Sequence, residues 1–205
     1  SSCSKDPSAS DVLKEMKPSK EESVLTSACE KTPNKNGCVD GRLIHVPSPQ
    51  WQDQIIYFAM IDRFEDGDAS NNDQGAEVFD PSQESHYSGG DLKGVTQRLD
   101  YIQDLGATSL WLTPFVANMW WDPLRDYGGY HGYWARAFKS VDEHYGSLED
   151  LKDLTHALHE RGMYFVQDIV VNHTANYFDY MGGYNPNELS ENLVFNKNAV
   201  PVSAP

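Results

Sequence analysis

Two short segments hold the side chains best suited to chemistry. DIVVNH, Asp168 to His173, follows an apolar run and offers a carboxylate, an amide and an imidazole within six residues. GYHGYW, Gly129 to Trp134, lies about forty residues upstream and offers His131, Tyr133 and Trp134. An aromatic ring stacks on the apolar face of a sugar ring while imidazole and carboxylate groups hydrogen-bond its hydroxyls, the usual mix of apolar bulk and few polar groups in a small-ligand site. A third segment, EDGDASNND, places Asp66, Asp68, Asn71 and Asn72 within seven residues, and the turn SGGD adds Asp91. These are hard oxygen donors of the kind that Ca²⁺ takes at about 2.3 to 2.6 Å. The same residues also favour metal-free turns. An EF-hand count from Asp66 fails, because its sixth position is Asn71 where glycine is required.

These side chains need a scaffold, and the apolar pattern supplies one. Gln54 to Ile61 is a nearly continuous apolar run, which predicts a strand buried on both faces. Val95, Leu99, Ile102 and Leu105 recur at helical spacing, with Gly106 where a C-terminal cap belongs. Ser109 to Leu112 is the second strand candidate, and a long aromatic and glycine-rich loop runs from it to about Gly146. Ser147 and Asp150 form a capping-box pattern, and Leu148, Leu151, Leu154 and Leu158 make one stripe ending before Gly162. Tyr164 to Val170 is the third strand. Strands alternating with helices, without hairpin signals, predict an α/β protein of parallel βαβ units. Three parallel strands leave an open sheet with an unpaired edge, and such sheets are stable mainly when complete.

Taken together, these motifs resemble the opening third of the α-amylase superfamily, glycoside hydrolase family 13, over roughly Trp51 to Tyr177. The resemblance implies that residues 51–173 are about three βα units of a TIM (β/α)8 barrel, a fold of about 250 residues. Residues 174–205 then begin an inserted irregular subdomain, and the chain is the N-terminal portion of a larger protein that completes the barrel. By the same resemblance Tyr133 stacks on the sugar where the bond breaks, His131, Trp134 and His173 contact that sugar, and Asp168 supports the catalytic geometry. The cyclodextrin-glucanotransferase branch implies calcium held by Asp66, Asp68, Asn71, Asn72, the Gly89 carbonyl and Asp91, with Asn172 on a second calcium. The implied reaction is a retaining transformation of α-glucans, with Asp, Glu and Asp from the fourth, fifth and seventh strands. No catalytic residue is therefore assigned within these 205 residues, which alone are expected to be inactive. The alternative is a non-catalytic glycan-binding surface protein on the same barrel. One departure stands out: where the family often continues to Asp-Phe after HGYW, this chain has Ala137-Phe138.

Composition narrows the partners. With 31 Asp and Glu against 16 Lys and Arg, the net charge is -15, which disfavours binding a phosphate backbone, so no nucleic-acid partner is expected. Residues 1–50 are rich in Ser, Lys, Glu and Pro and read as a disordered polar tail or linker. All three cysteines lie there. Cys29 and Cys38 flank a short polar turn that a disulfide closes readily, which points to a secreted, periplasmic or cell-surface location. Cys3, near the start of a Ser-rich tether, raises a lipid anchor as one reading and a free thiol as another. Trp120, Trp121, Tyr127 and Tyr130 either extend a sugar platform or seal the loop, and His156 and His159 read as solvated surface residues.

Overall fold

The computed structural model of the chain describes residues 48–195 and, in backbone alone, a short antiparallel pair, Cys38–Val39 with Arg42–Leu43. That pair falls inside the segment read as a disordered tail. The expected Cys29–Cys38 disulfide and the Cys3 anchor lie outside the described residues.

Three parallel strands form the central sheet: β1 (Ile56–Ala59), β2 (Ser109–Leu112) and, after the intervening elements, β7 (Tyr164–Gln167). Their order is β1-β2-β7, with Tyr57, Leu110 and Phe165 in register across it. Between β1 and β2 the chain forms α1 (Leu92–Gln97) and α2 (Leu99–Asp104); before β7 it forms α3 (Leu148–Glu160). Leu92, Val95, Leu99, Ile102, Leu154 and Leu158 pack from these helices onto Ala59, Leu110 and Leu112 in one core. A parallel sheet with helices packed on it bears out the α/β reading.

Four expectations are corrected. The strands are buried on one face only: Phe58 is 50% and Trp111 38% exposed on the other, where their rings meet edge to face at 5.3 Å. The helices cover just one side of three strands, and no further strand caps the opposite side among the described residues. The helix expected over Val95 to Leu105 starts earlier, at Leu92, because Asp91 caps it by accepting a 2.6 Å bond from the Gly94 amide. It also breaks at Arg98, whose φ and ψ of -105° and 12° leave the helical region. Gly106 follows the second piece at φ +86°. The capping box of α3 is present, with Ser147 and Asp150 bonded reciprocally, yet Leu148 is 61% exposed and outside the buried stripe. His156 is half-buried and paired with Glu160 at 3.1 Å.

The long loop after β2 is more ordered than its composition suggests. β3 (Val116–Asn118) pairs antiparallel with β6 (Ala135–Val141), and β4 (Trp121–Asp122) with β5 (Tyr127–Gly128). Beyond Thr174, β8 (Phe178–Tyr180) and β9 (Leu193–Phe195) form another antiparallel pair in a segment read as irregular. These short strands escape sequence patterning because each is two to seven residues long and interrupted by turn residues.

Candidate functional site

Asp168 follows directly on Gln167, the last residue of β7, and so sits at the C-terminal edge shared by the three parallel strands. Both of its documented partners bond the same oxygen: the Tyr133 hydroxyl donates to Oδ2 at 2.9 Å and the Trp111 indole at 3.2 Å. Oδ1 takes part in neither bond. The GYHGYW segment reaches this edge by folding back over the end of β2. Gly132 makes that possible: its φ is +88°, and a Cβ there would lie 2.1 Å from the Pro114 carbonyl oxygen. Asn118, buried on β3, holds the far end of the segment by accepting a 2.8 Å bond from the Trp134 amide.

The geometry fixes the protonation pattern of both histidines. The Tyr133 amide donates to His131 Nδ1 at 3.0 Å, so the neutral ring carries its proton on Nε2 and offers a donor there. Burial holds His131 down at about 4. Its ring lies nearly parallel to Tyr133, 17° between planes, and edge-on to Trp134 with centroids 4.6 Å apart. His173 Nε2 lies 3.0 Å from the Tyr133 carbonyl oxygen, which can only accept, so Nε2 donates and Nδ1 accepts from the Asn172 amide at 3.1 Å. Both His173 nitrogens are thus engaged within the protein. The expected bond from His173 to a sugar hydroxyl requires exchanging one of them. Burial and the bond to Asp168 push the Tyr133 phenol up to about 12, so it remains a donor.

His131 should therefore fail to titrate in the usual range. Below pH 6.5 the unfolded chain takes up this proton while the folded chain does not. The neutral ring's stabilising contribution is whole above pH 6.5 and is lost as the pH falls toward 4. The His131 imidazole resonance should stay flat from pH 8 to about 5; a midpoint near 6.5 would contradict the buried geometry.

The structure thus brings Asp168, Tyr133, His131, Trp134 and His173 to one place. Of the other aromatics of this loop, Tyr130 is 8% exposed and Trp121 and Tyr127 pack on the core, so they seal the loop. Trp120 lies over Arg136 and edge-on to His144. Two participants escaped sequence reading. Trp111 looked like an apolar strand residue, and Asn118 like part of a loop; only the register of β2 with β7 and of β3 with β6 gives them their roles.

The oxygen-rich loop closes on itself. Asn72 Nδ2 donates to Asp66 at 2.6 Å, and Asn71 Nδ2 to Asp91 at 3.2 Å. Asp91 also caps α1 and accepts from the Gly67 amide at 3.2 Å, and its burial raises its pKa. Asp68 instead faces Ser70 and Lys93, whose bonds hold it down at about 2. A Cβ added at Gly89 would lie 2.8 Å from the Asn72 Nδ2, so the turn passes close to that side chain. Among the described residues no three His, Cys, Asp or Glu groups converge as a metal cage. What the loop does hold is the Oδ1 oxygens of Asn71 and Asn72, both buried and both without a hydrogen-bond partner. Buried unsatisfied oxygens beside carboxylates fit a hard cation. Asn172 is exposed and placed apart, beside His173.

The chain is similar to known proteins. A cyclomaltodextrin glucanotransferase of Klebsiella oxytoca is 42% identical over 124 residues, 59% of this chain and 19% of that protein. The crystal structure of an Anoxybacillus alpha-amylase superposes with a TM-score of 0.55 at 45% identity, covering 62% of this chain and 26% of that one. That of a Geobacillus thermoleovorans alpha-amylase complexed with acarbose gives 0.51 at 39% identity, over 69% and 31%. The chain therefore spans a fifth to a third of these relatives. The family model of the alpha-amylase catalytic domain matches residues 58–195, from inside β1 to the end of β9 and across every residue of the candidate site. A match over more than half of the chain places it in the alpha-amylase family.

Proposed function

We propose that the protein carrying this chain acts on α-glucans as a glycoside hydrolase or transglycosylase, with these residues forming one wall of the sugar site. The observation that carries the reading is the cluster at the strand edge: a carboxylate with one oxygen committed to Tyr133 and Trp111, beside a neutral histidine with a free donor. Tyr133 offers its ring to the apolar face of a glucose unit, while Asp168 Oδ1 and His131 Nε2–H take hydroxyls of opposite hydrogen-bonding sense. Because Asp168 is committed to holding Tyr133, it positions the sugar, and the reacting carboxylates come from elsewhere in the barrel. The 205 residues alone are accordingly expected not to hydrolyse starch. Reducing-sugar release from soluble starch by the complete protein tests the reading. Binding of maltooligosaccharides without turnover would move it to the glycan-binding alternative, and no binding at all would end it.

Asp66, Asp68, Asn71, Asn72, Asp91 and the Gly89 carbonyl are the groups proposed to hold calcium. The ion would supply charge to offset the loop's carboxylates and partners for the two orphaned amide oxygens. An ion bound only by the folded state stabilises it by mass action. Chelation with EGTA should lower the melting midpoint of the complete protein, and Asp66→Ala should abolish that sensitivity. Elemental analysis free of calcium after dialysis would refute the assignment. Asn172 is proposed for a second ion, and a secreted, periplasmic or surface location is in keeping with a similar protein, the periplasmic alpha-amylase of Escherichia coli.

A further inference from the structure

The two candidate regions, the oxygen-rich loop and the sugar-facing loop, are joined by a buried residue that neither motif contains. Tyr145 is fully buried. Its carbonyl accepts a 3.1 Å bond from the Leu92 amide, the residue directly after the cap Asp91. Its hydroxyl donates to the carbonyl oxygen of Tyr130, the residue directly before His131. A further bond ties the same stretch to the loop, since the Gln74 amide donates to the carbonyls of both Asn71, at 2.9 Å, and Glu143, at 3.1 Å. On the opposite side of Tyr130, the Arg63 guanidinium lies 3.8 Å over the ring and donates to the carbonyls of Glu84 and His86 and to the Ser88 hydroxyl. Asp62, next to Arg63, accepts the amides of Ser88 and Gly89. Both ends of the SGGD turn are thus braced against Tyr130, one through Tyr145 and one through Arg63.

We propose that Tyr145 is a positioning residue for His131, a strut that fixes the sugar-facing loop relative to the Asp66–Asp91 oxygen cluster. The strut has no group at the sugar site and acts through the Tyr130 carbonyl alone. Its effect on ligand rests on the α-glucan reading above, whereas its effect on His131 does not. A change in the oxygen-rich loop should reach His131 by this route, so perturbations at the two ends must be non-additive.

The test is a double-mutant cycle in the complete protein, with Tyr145→Phe, which keeps the ring and removes the hydroxyl, and Asp66→Ala. Acarbose affinity by calorimetry and the His131 imidazole resonance are the two readouts. Each single variant should weaken acarbose about tenfold and shift the His131 resonance, and the double variant should also lose about tenfold instead of about a hundredfold. An unchanged affinity in Tyr145→Phe, or multiplicative losses in the double variant, would overturn the strut while leaving the glucan reading intact. If the wild type ignores acarbose, the glucan reading fails, and the resonance alone then decides: moved by both variants supports the strut, unmoved refutes it. Should Tyr145→Phe not fold, the His131 resonance in Asp66→Ala decides alone: moved supports the route between the two regions, unmoved refutes it.

Discussion

Asp168→Ala in the complete protein should lower turnover of α-glucans by about a hundredfold or more, because a misplacement of about 1 Å at a reacting centre costs that much. The loss is one of orientation. Without the carboxylate, the Tyr133 hydroxyl and the Trp111 indole both lose their acceptor. Tyr133 then loses its side-chain anchor, which loosens the residue whose backbone amide holds His131 and whose carbonyl holds His173. The melting midpoint should move by no more than a few degrees, since these groups are only part-buried and water can replace the lost acceptor. Asp168→Asn, which keeps one oxygen for the two donors, should recover part of the turnover. Steady-state kinetics beside a thermal melt decides it: a large drop in midpoint with proportionate loss of activity would make Asp168 merely structural.

Gly132→Ala should be among the most damaging glycine substitutions of the described residues. Two costs coincide there, a backbone at φ +88° that side chains resist and a Cβ placed 2.1 Å from the Pro114 carbonyl oxygen. The first alone costs about 1 kcal/mol or somewhat more. The second forces main chain to move against main chain, so the total should reach about 3 kcal/mol or more. Gly162→Ala is the control, because its φ is +68° with nothing within 4 Å of an added Cβ. Urea midpoints of the two variants separate strain from collision. Equal losses would mean that the loop yields freely, and the argument for a rigid GYHGYW wall would fall.

How far the sequence reveals this arrangement depends on the range over which each feature is determined. The three parallel strands and α3 are legible because apolar runs, a capping box and glycine stops are local signals. The grouping of His131, Tyr133, Asp168 and His173 is legible through the family resemblance, since about forty residues separate the two motifs and no local rule joins them. Hidden entirely are the partners that depend on pairing. Trp111 meets Asp168 only because β2 and β7 are in register, and Asn118 reaches Trp134 only because β3 bulges against β6. Buried Asp62, lifted by burial to about 6 against the pull of the Ser88 amide and Arg63, is equally invisible, since an acid in IDR after a strand reads as a turn residue. Periodicity also overstated burial, because an apolar strand face reports what the fold can cover and not what covers it in this chain.

The uncovered side of the sheet exposes Ile56 and Phe58 on the edge strand β1 and Trp111 on the central β2, and among the described residues the outer edges of β1 and β7 have no strand partner. Such a surface invites lateral strand addition by a second copy, the first step toward aggregates. A net charge of -15 opposes that encounter at low ionic strength. At about 0.15 M salt, where electrostatic reach shrinks to about 8 Å, repulsion no longer keeps these apolar faces apart. Self-association of the 205-residue chain is thus expected to rise with salt, which light scattering across a salt series checks.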